Sequence, residues 1–224
     1  MITLQISSPW NVCTPTLFRF LEKQYVDVFF NDGTLRLSTF DKFKNHHDEQ
    51  RLDKQEGQTY FVHRTSQQGG QTLEVLAQHG QNAYVLCGAT RFEEKLMENF
   101  DCDSYIRIND PTKFSMAISK HIPGFVAGFE GPCLYQSNKI IEKDLGYVDL
   151  NKFRNNSGQV DRNMVNSFVS HHMSFYPFFL KDTCYAHQLE YRLLWLSNAE
   201  INEHIEIKVP EAIQFCTKPN KLTE

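Results

Sequence analysis

The sequence predicts a single α+β domain, built mostly from antiparallel sheets with flanking helices. Short runs of alternating apolar and polar residues, the pattern of half-buried strands, recur along the chain, with a few segments of helical spacing between them. The 224 residues are 41% hydrophobic and 13% aromatic, which is enough for a core that buries roughly 70% of the unfolded surface. No repeat or linker divides the sequence. We therefore expect one domain over residues 1–224, with a frayed tail over residues 216–224.

The first half of the chain favours strands. FRFL around Arg19 fits either a short strand or the start of a helix. Residues 31–33 (NDG) have the residue types of a turn, and TLRLS after them alternates, with Leu35 and Leu37 facing the core. Three further runs are typical of strands, and the first two are separated by a predicted hairpin turn at QQGGQ: TYFVHR, QTLEVLAQ and AYVLCGAT.

The second half mixes helices and strands. NDPTKFSMAISKHI predicts a helix with Asp110 as N-cap and Pro111 at the first helical position. The aromatic segment SFVSHHMSFYPFFLKD predicts a buried helix interrupted near Pro177. YAHQLEYRLLW, from Tyr185 to Trp195, is the strongest strand signal in the chain. The remaining predicted elements are a helix at RFEEKLMENF, strands at SYIRI, GFVAGFE, CLYQ and HIEIKV, and a short helix at PEAIQFC.

Charge and cysteine usage narrow the class of protein. The formal net charge is −4 without a basic cluster, whereas non-specific nucleic-acid binding requires one. The six cysteines form no CxxC pair, which indicates reduced thiols. The first residues lack the pattern of a secretory signal, and no apolar run approaches the ~20 residues of a membrane span. We expect a cytoplasmic protein that has no membrane partner.

Three polar side chains interrupt the predicted strand from Tyr185 to Trp195. Gln188, Glu190 and Arg192 would share one face at a spacing of about 7 Å. This face could be solvent-exposed, or Glu190 could form a structural ion pair with Arg36 or Arg192. Because a charge on a buried strand is costly, the row is also a candidate functional site.

Three motifs resemble those of the ADP-ribosyltransferase superfamily. FRFL, with Arg19, resembles the first-strand position where the superfamily places an Arg or His to hold NAD. DGTLRLSTF, with Ser38 and Thr39, is similar to its Ser-Thr strand, although Phe40 follows where the pattern has a second serine. HQLEYR is similar to its Gln/Glu-x-Glu motif. The late K-D-x-x-Y-x-x-Q-x-E-Y-R pattern is also similar to small bacterial and phage-encoded proteins, a similarity that carries no activity with it.

The resemblance implies an ADP-ribosyltransferase-like fold and NAD as the substrate that supplies ADP-ribose. Glu190 and Gln188 would be catalytic: Glu190 would bind a ribose hydroxyl and stabilise an oxocarbenium-like transition state, and Gln188 would orient the acceptor. Arg19 would hold a phosphate or the nicotinamide amide, and Phe40 would stack on the nicotinamide ring. The acceptor would be a macromolecule, protein or nucleic acid, and the role by analogy one in a toxin, phage defence or counter-defence. The cofactor-binding residues implied are Arg19, Arg36, Ser38, Thr39 and Phe40.

Two other functions stay open on the residues alone. The chain could be a non-catalytic interaction module in which Gln188, Glu190 and Arg192 form a structural network. It could also be a metal-dependent nuclease, because Asp48, Glu49, Asp53 and Glu56 could share a helix face, and such an enzyme needs carboxylates that bridge ions. Consecutive side chains diverge, so the HHDE run at residues 46–49 does not suit a single metal. No metal is expected.

Overall fold

The structure, a computed structural model, describes residues 15–40, 42, 55–64, 72–201 and 204–219. The strands are β1 (Leu17–Leu21), β2 (Thr34–Thr39), β3 (Gln58–Arg64), β4 (Thr72–Gln78), β5 (Ala83–Ala89), β6 (Ser104–Ile108), β7 (Phe125–Pro132), β8 (Leu134–Tyr135), β9 (Ile140–Lys143), β10 (Leu180–Lys181), β11 (Glu190–Ser197), β12 (His204–Lys208) and β13 (Cys216–Thr217). The α-helices are α1 (Lys23–Asp32), α2 (Glu94–Asn99), α3 (Pro111–Ser119) and α4 (Arg162–Met173), with 3-10 helices at Leu150–Phe153, Tyr176–Phe178, Thr183–Gln188 and Pro210–Phe215. Mixed helices and largely antiparallel sheets confirm the predicted α+β class.

The main sheet divides at β5. Its strand order is β12-β2-β5-β1-β6-β13, and β11 pairs with β5 on one side and with β7 on the other. One edge of β5 pairs with β11 along its whole length. The opposite edge pairs with β2 at Tyr84 and Val85 and with β1 at Ala89. Among the described strands, residues 86–88 pair with neither β1 nor β2, so these two strands diverge and leave a gap in the sheet.

Apolar residues cover both faces of the main sheet. Alternate side chains of a strand lie on the same face of a sheet. Tyr191, Leu193 and Trp195 of β11 therefore lie together on the face covered by α1 and α3, in the largest hydrophobic cluster. Leu194 lies on the opposite face, in a smaller cluster with Phe40. The alternation predicted for this segment is therefore confirmed from Glu190 onward.

Two smaller sheets flank the main one. In the first, β3 lies between an antiparallel β4 and a parallel β9. Helix α4 covers this sheet with Val165, Val169 and Met173, which pack near Phe61 of β3. The second sheet is the parallel pair β8 and β10, two residues each.

Helix ends follow the residues that can form them. Asp110 caps α3, because its Oδ1 accepts a hydrogen bond from the Lys113 N–H at 3.0 Å, as predicted. The turn predicted at residues 31–33 is wrong, since α1 continues through Asp32. The helix ends at Gly33, which has a φ of 80°. A Cβ there would lie 2.3 Å from the backbone nitrogen of Pro210, so the position requires glycine.

Two further expectations are corrected by the structure. The helix predicted to be interrupted near Pro177 ends a few residues earlier, at Met173, and a 3-10 turn that includes Pro177 follows. The tail is not frayed from its first residue, because Cys216–Thr217 pairs with β6. The predicted QQGGQ turn and the HHDE run at residues 46–49 lie outside the described residues. Within the described ranges, none of the helices combines the length and apolar content needed to span a membrane.

Candidate functional site

The gap between β1 and β2 opens into a cleft of about 1160 Å³. Its wall includes residues 86–88, the part of β5 that β1 and β2 leave uncovered. Five of the seven residues implied by the resemblance line this one cleft, although they come from distant parts of the chain. They are Arg19 on β1, Arg36 and Ser38 on β2, Gln188 at the end of the 3-10 helix that precedes β11, and Glu190 at the start of β11.

Thr39 and Phe40 do not line the cleft. Thr39 is buried at the end of β2, where it pairs with Tyr84 of β5. Phe40 is 1% exposed, and its ring lies 5.4 Å from the guanidinium carbon of Arg192. One of its faces therefore packs against an arginine of the protein, and stacking of Phe40 on a nicotinamide ring has no support in this arrangement.

The strand predicted from Tyr185 to Trp195 is broken at its start. Residues Thr183–Gln188 form a 3-10 helix, capped by Asp182, whose Oδ1 accepts from the Cys184 N–H at 2.9 Å. Leu189 then adopts a left-handed conformation, with φ 49° and ψ 41°, which costs a residue other than glycine roughly 1–3 kcal/mol. The strand begins only at Glu190. The left-handed residue stands directly between the two proposed catalytic side chains.

A single lysine joins Gln188 and Glu190. The Nζ of Lys181 on β10 donates to Gln188 Oε1 at 2.7 Å and forms an ion pair with Glu190 Oε2. Lys181, Gln188 and Glu190 are 7%, 3% and 6% exposed. The sequence predicted that Gln188 and Glu190 would share one face of a strand. They are instead brought together because both side chains bind the buried ammonium group of Lys181.

Arg192 extends this network on the other side of Glu190. Its Nε donates to Glu190 Oε1 at 2.6 Å, and its two terminal nitrogens donate to the Glu56 carboxylate at 2.9 and 3.0 Å. Arg192 and Glu56 are each 2% exposed. Of the two arginines considered as partners of Glu190, Arg192 is the one that pairs with it. The resulting cluster contains two cations and two anions and is neutral overall.

The pairing keeps these groups charged. Burial by itself would raise the pKa of Glu190, but the charges of Arg192 and Lys181 outweigh it and hold that pKa well below its usual value. Burial would lower the pKa of Lys181, but the negative groups around it, Glu190 foremost and Glu56 after it, together outweigh that effect, so this pKa stands above its usual value. Lys181 is therefore an ammonium ion at neutral pH and not a nucleophile. Burial also raises the pKa of the Cys87 thiol in the cleft wall, so it is not a thiolate there.

Sequence reasoning missed two groups at this site. Lys181 is the K of the K-D-x-x-Y-x-x-Q-x-E-Y-R pattern, but nothing in the periodicity indicates that its side chain turns inward. The Tyr135 hydroxyl oxygen accepts the backbone N–H of Glu190 at 2.8 Å. Burial raises the pKa of Tyr135 to about 12, which keeps the phenol neutral. The residue lies 55 positions from Glu190, too far for any local pattern to connect them.

Of the four residues proposed for a metal nuclease, Glu56 alone lies in the described part of the chain. Asp48, Glu49 and Asp53 lie outside the described residues. Glu56 is described, and both of its carboxylate oxygens bind Arg192. No cluster of three or more His, Cys, Asp or Glu side chains suited to a metal ion occurs within the described ranges.

The three motifs that resemble the ADP-ribosyltransferase superfamily thus border one cavity. Comparisons of the chain with protein-family models, with curated proteins and with solved structures return no match.

Proposed function

We propose that the cleft binds NAD, breaks its nicotinamide–ribose bond and transfers ADP-ribose to a macromolecular acceptor. The observation that carries this proposal is the convergence of Arg19 from β1, Ser38 from β2 and the Gln188–Glu190 pair on one cleft. These segments are separated by up to about 170 residues of sequence, and only the resemblance suggested that they would meet.

The cleft is large enough for a dinucleotide and has cationic side chains in its lining. Small-molecule sites are typically about 300–1,000 Å³, and this cleft is slightly larger. Arg19, Arg36 and Lys42 contribute cationic side chains to its lining. Charge-assisted hydrogen bonds from arginine suit phosphate oxygens, which supports binding of the pyrophosphate by Arg19 and Arg36.

Glu190 is the residue best suited to the reacting ribose. As the C1′–N bond breaks, its electron pair goes to the nicotinamide nitrogen and positive charge develops on the ribose. A preformed carboxylate stabilises such a charge more than it stabilises the ground state. The acceptor then forms the new bond to C1′ and releases its proton, so one NAD and one acceptor give nicotinamide, the modified acceptor and a proton. Gln188 lies beside Glu190 and would orient the acceptor.

A second candidate function is supported by the ion pairs themselves. All four charges of the network are paired, and it links segments that are far apart in sequence. This is the arrangement expected of a non-catalytic interaction module in which Gln188, Glu190 and Arg192 stabilise the fold. Such a module would not bind NAD.

Thermal unfolding with and without millimolar NAD, combined with a nicotinamide-release assay, separates the two functions. For the transferase, NAD raises the melting temperature of the wild type, because a ligand at a hundredfold excess over its Kd stabilises the fold by about 2.7 kcal/mol. Glu190→Gln should bind NAD but release nicotinamide about 10²–10³-fold more slowly. Glu142→Gln is the matched control, since it makes the same change on a 59% exposed side chain. An absence of any NAD effect on the wild type, together with a lower melting temperature for Glu190→Gln, would support the interaction module instead.

A further inference from the structure

We infer that Lys181 acts as a built-in plug: its ammonium group occupies the Gln188–Glu190 pair and must be displaced before NAD can react. This inference rests on the proposed function and adds a self-inhibitory contact to it. Its basis is that one nitrogen atom bonds to both proposed catalytic side chains, at 2.7 Å from Gln188 Oε1 and in an ion pair with Glu190 Oε2.

The plug explains why the site is closed. Glu190 has two carboxylate oxygens, of which Arg192 Nε binds one and Lys181 Nζ binds the other. Glu190 as a whole is only 6% exposed. A ribose hydroxyl can approach Oε2 only if Lys181 leaves, because Arg192 is fixed by further bonds to Glu56 and to the Phe178 carbonyl.

Charge leads to the same conclusion. With Lys181 and Arg192 in place, the four-residue cluster is neutral, so it gives little stabilisation to a positively charged transition state. When Lys181 withdraws, Arg192, Glu190 and Glu56 retain one net negative charge next to the cleft. Preformed negative charge at that position is what an oxocarbenium ion requires. Removal of the plug therefore frees the binding position and also supplies the electrostatic stabilisation.

The backbone that carries Lys181 is suited to such a movement. Lys181 ends the two-residue strand β10, which pairs only with the two-residue strand β8 among the described strands and lies outside the main sheet. A sheet of this size is marginal by itself, and locally weak units open most readily. Tyr185 offers an alternative position, because its ring centroid already lies 4.9 Å from Lys181 Nζ.

The test compares Lys181→Met, Lys181→Gln and Lys181→Arg in NAD binding and nicotinamide release. The two neutral variants should bind NAD more tightly and release nicotinamide faster than the wild type. If the open state of the wild type is populated at about 0.1–10%, the gain in apparent affinity is about 10- to 1,000-fold. Lys181→Arg keeps the charge and should behave like the wild type. Lys152→Met, which removes one exposed positive charge, should have no effect.

Each result has a definite meaning. Lys181→Gln keeps an N–H donor and remains informative if Lys181→Met does not fold, as judged by circular dichroism. If the wild type releases nicotinamide and both neutral variants release it at the same rate or more slowly, Lys181 does not inhibit the site. The proposed transferase activity would still be supported. If neither the wild type nor any variant binds NAD, the proposed transferase activity is wrong, and so is the proposed inhibition by Lys181. A merely structural lysine could not give faster release on removal, and adding Glu190→Gln to Lys181→Met should abolish the gain.

Discussion

The guanidinium group of Arg192 binds both carboxylate oxygens of Glu56, with donor–acceptor distances of 2.9 and 3.0 Å across 136 residues of sequence. This two-fold contact fixes the plane of the guanidinium group and leaves its Nε directed at Glu190. The position of Glu190 at the cleft thus depends on a carboxylate from the segment that precedes β3.

Removing Arg192 should destabilise the protein strongly. Arg192→Met leaves Glu190 and Glu56 buried with fewer partners, and breaking a buried ion pair in this way costs about 3–5 kcal/mol. Arg64→Met is the matched control, because Arg64 pairs with Glu142 at 3.7 Å on the surface, where such a pair contributes at most about 1 kcal/mol. Urea denaturation at neutral pH measures both values. If Arg192→Met and Arg64→Met lower the free energy of unfolding by the same amount, the buried network does not stabilise the fold.

The stabilisation from Glu190 should depend on pH in a defined direction. Its pKa is lower in the folded protein than the ordinary value of 4.5, so its contribution is complete above about pH 5 and is lost as the pH falls. The difference in unfolding free energy between the wild type and Glu190→Gln should therefore narrow by about 2 kcal/mol between pH 7 and pH 3. Urea denaturation at several pH values gives this difference directly.

Glu142→Gln controls for the change in formal charge in that titration. Its side chain is 59% exposed, and its difference from the wild type should change little over the same range. If the gap between the wild type and Glu190→Gln instead widens on acidification, Glu190 is not held ionised by Lys181 and Arg192 in the folded state.

The sequence predicts those features that local chemistry determines. Leu35 and Leu37 alternate with polar neighbours and are buried on β2, as expected. Asp110 caps α3 because an aspartate before a proline can bond to the exposed N–H groups of the first turn. The break at Leu189 could not be predicted, because the alternation of apolar residues continues through it while the backbone turns left-handed.

Local sequence patterns also could not predict the contacts of the site that join residues far apart in the chain. Glu56 was proposed as a metal ligand, and only the folded chain shows that it pairs with Arg192. The inward direction of Lys181 depends on the position of β10 beside β8. The grouping of Arg19 and Ser38 with Gln188 and Glu190 was expected from the resemblance, and the divergence of β1 and β2 from β5 is its structural cause.

The end of α4 contains a strained residue whose replacement should stabilise the protein. Ser174 is exposed and has φ 54° and ψ −133°, a conformation that side chains disfavour at a cost of order 1–3 kcal/mol. Ser174→Gly removes the Cβ, although it increases the entropy of the unfolded chain, so we expect a gain of about 1 kcal/mol. Ser170→Gly, one turn earlier on the exposed face of the helix, should instead cost about 0.5–1 kcal/mol. Urea denaturation should give a higher free energy of unfolding for Ser174→Gly and a lower one for Ser170→Gly than for the wild type. A lower value for both variants would show that Ser174 is not strained.

Arg19 should contribute to NAD affinity and hardly to stability. It lines the cleft, and its Nη2 donates to the Arg36 carbonyl at 3.0 Å, which holds the side chain across the gap between β1 and β2. Arg19→Met removes a charged donor, and a hydrogen bond to a charged group contributes about 1.5–3 kcal/mol. The Kd for NAD measured by titration calorimetry should therefore rise about 10- to 100-fold. Arg107→Met is the control, because Arg107 is exposed on the neighbouring strand β6, opposite Phe18 in the sheet register and outside the lining of the cleft. If the two variants bind NAD equally well, the pyrophosphate does not contact Arg19, and Arg36 becomes the next position to test.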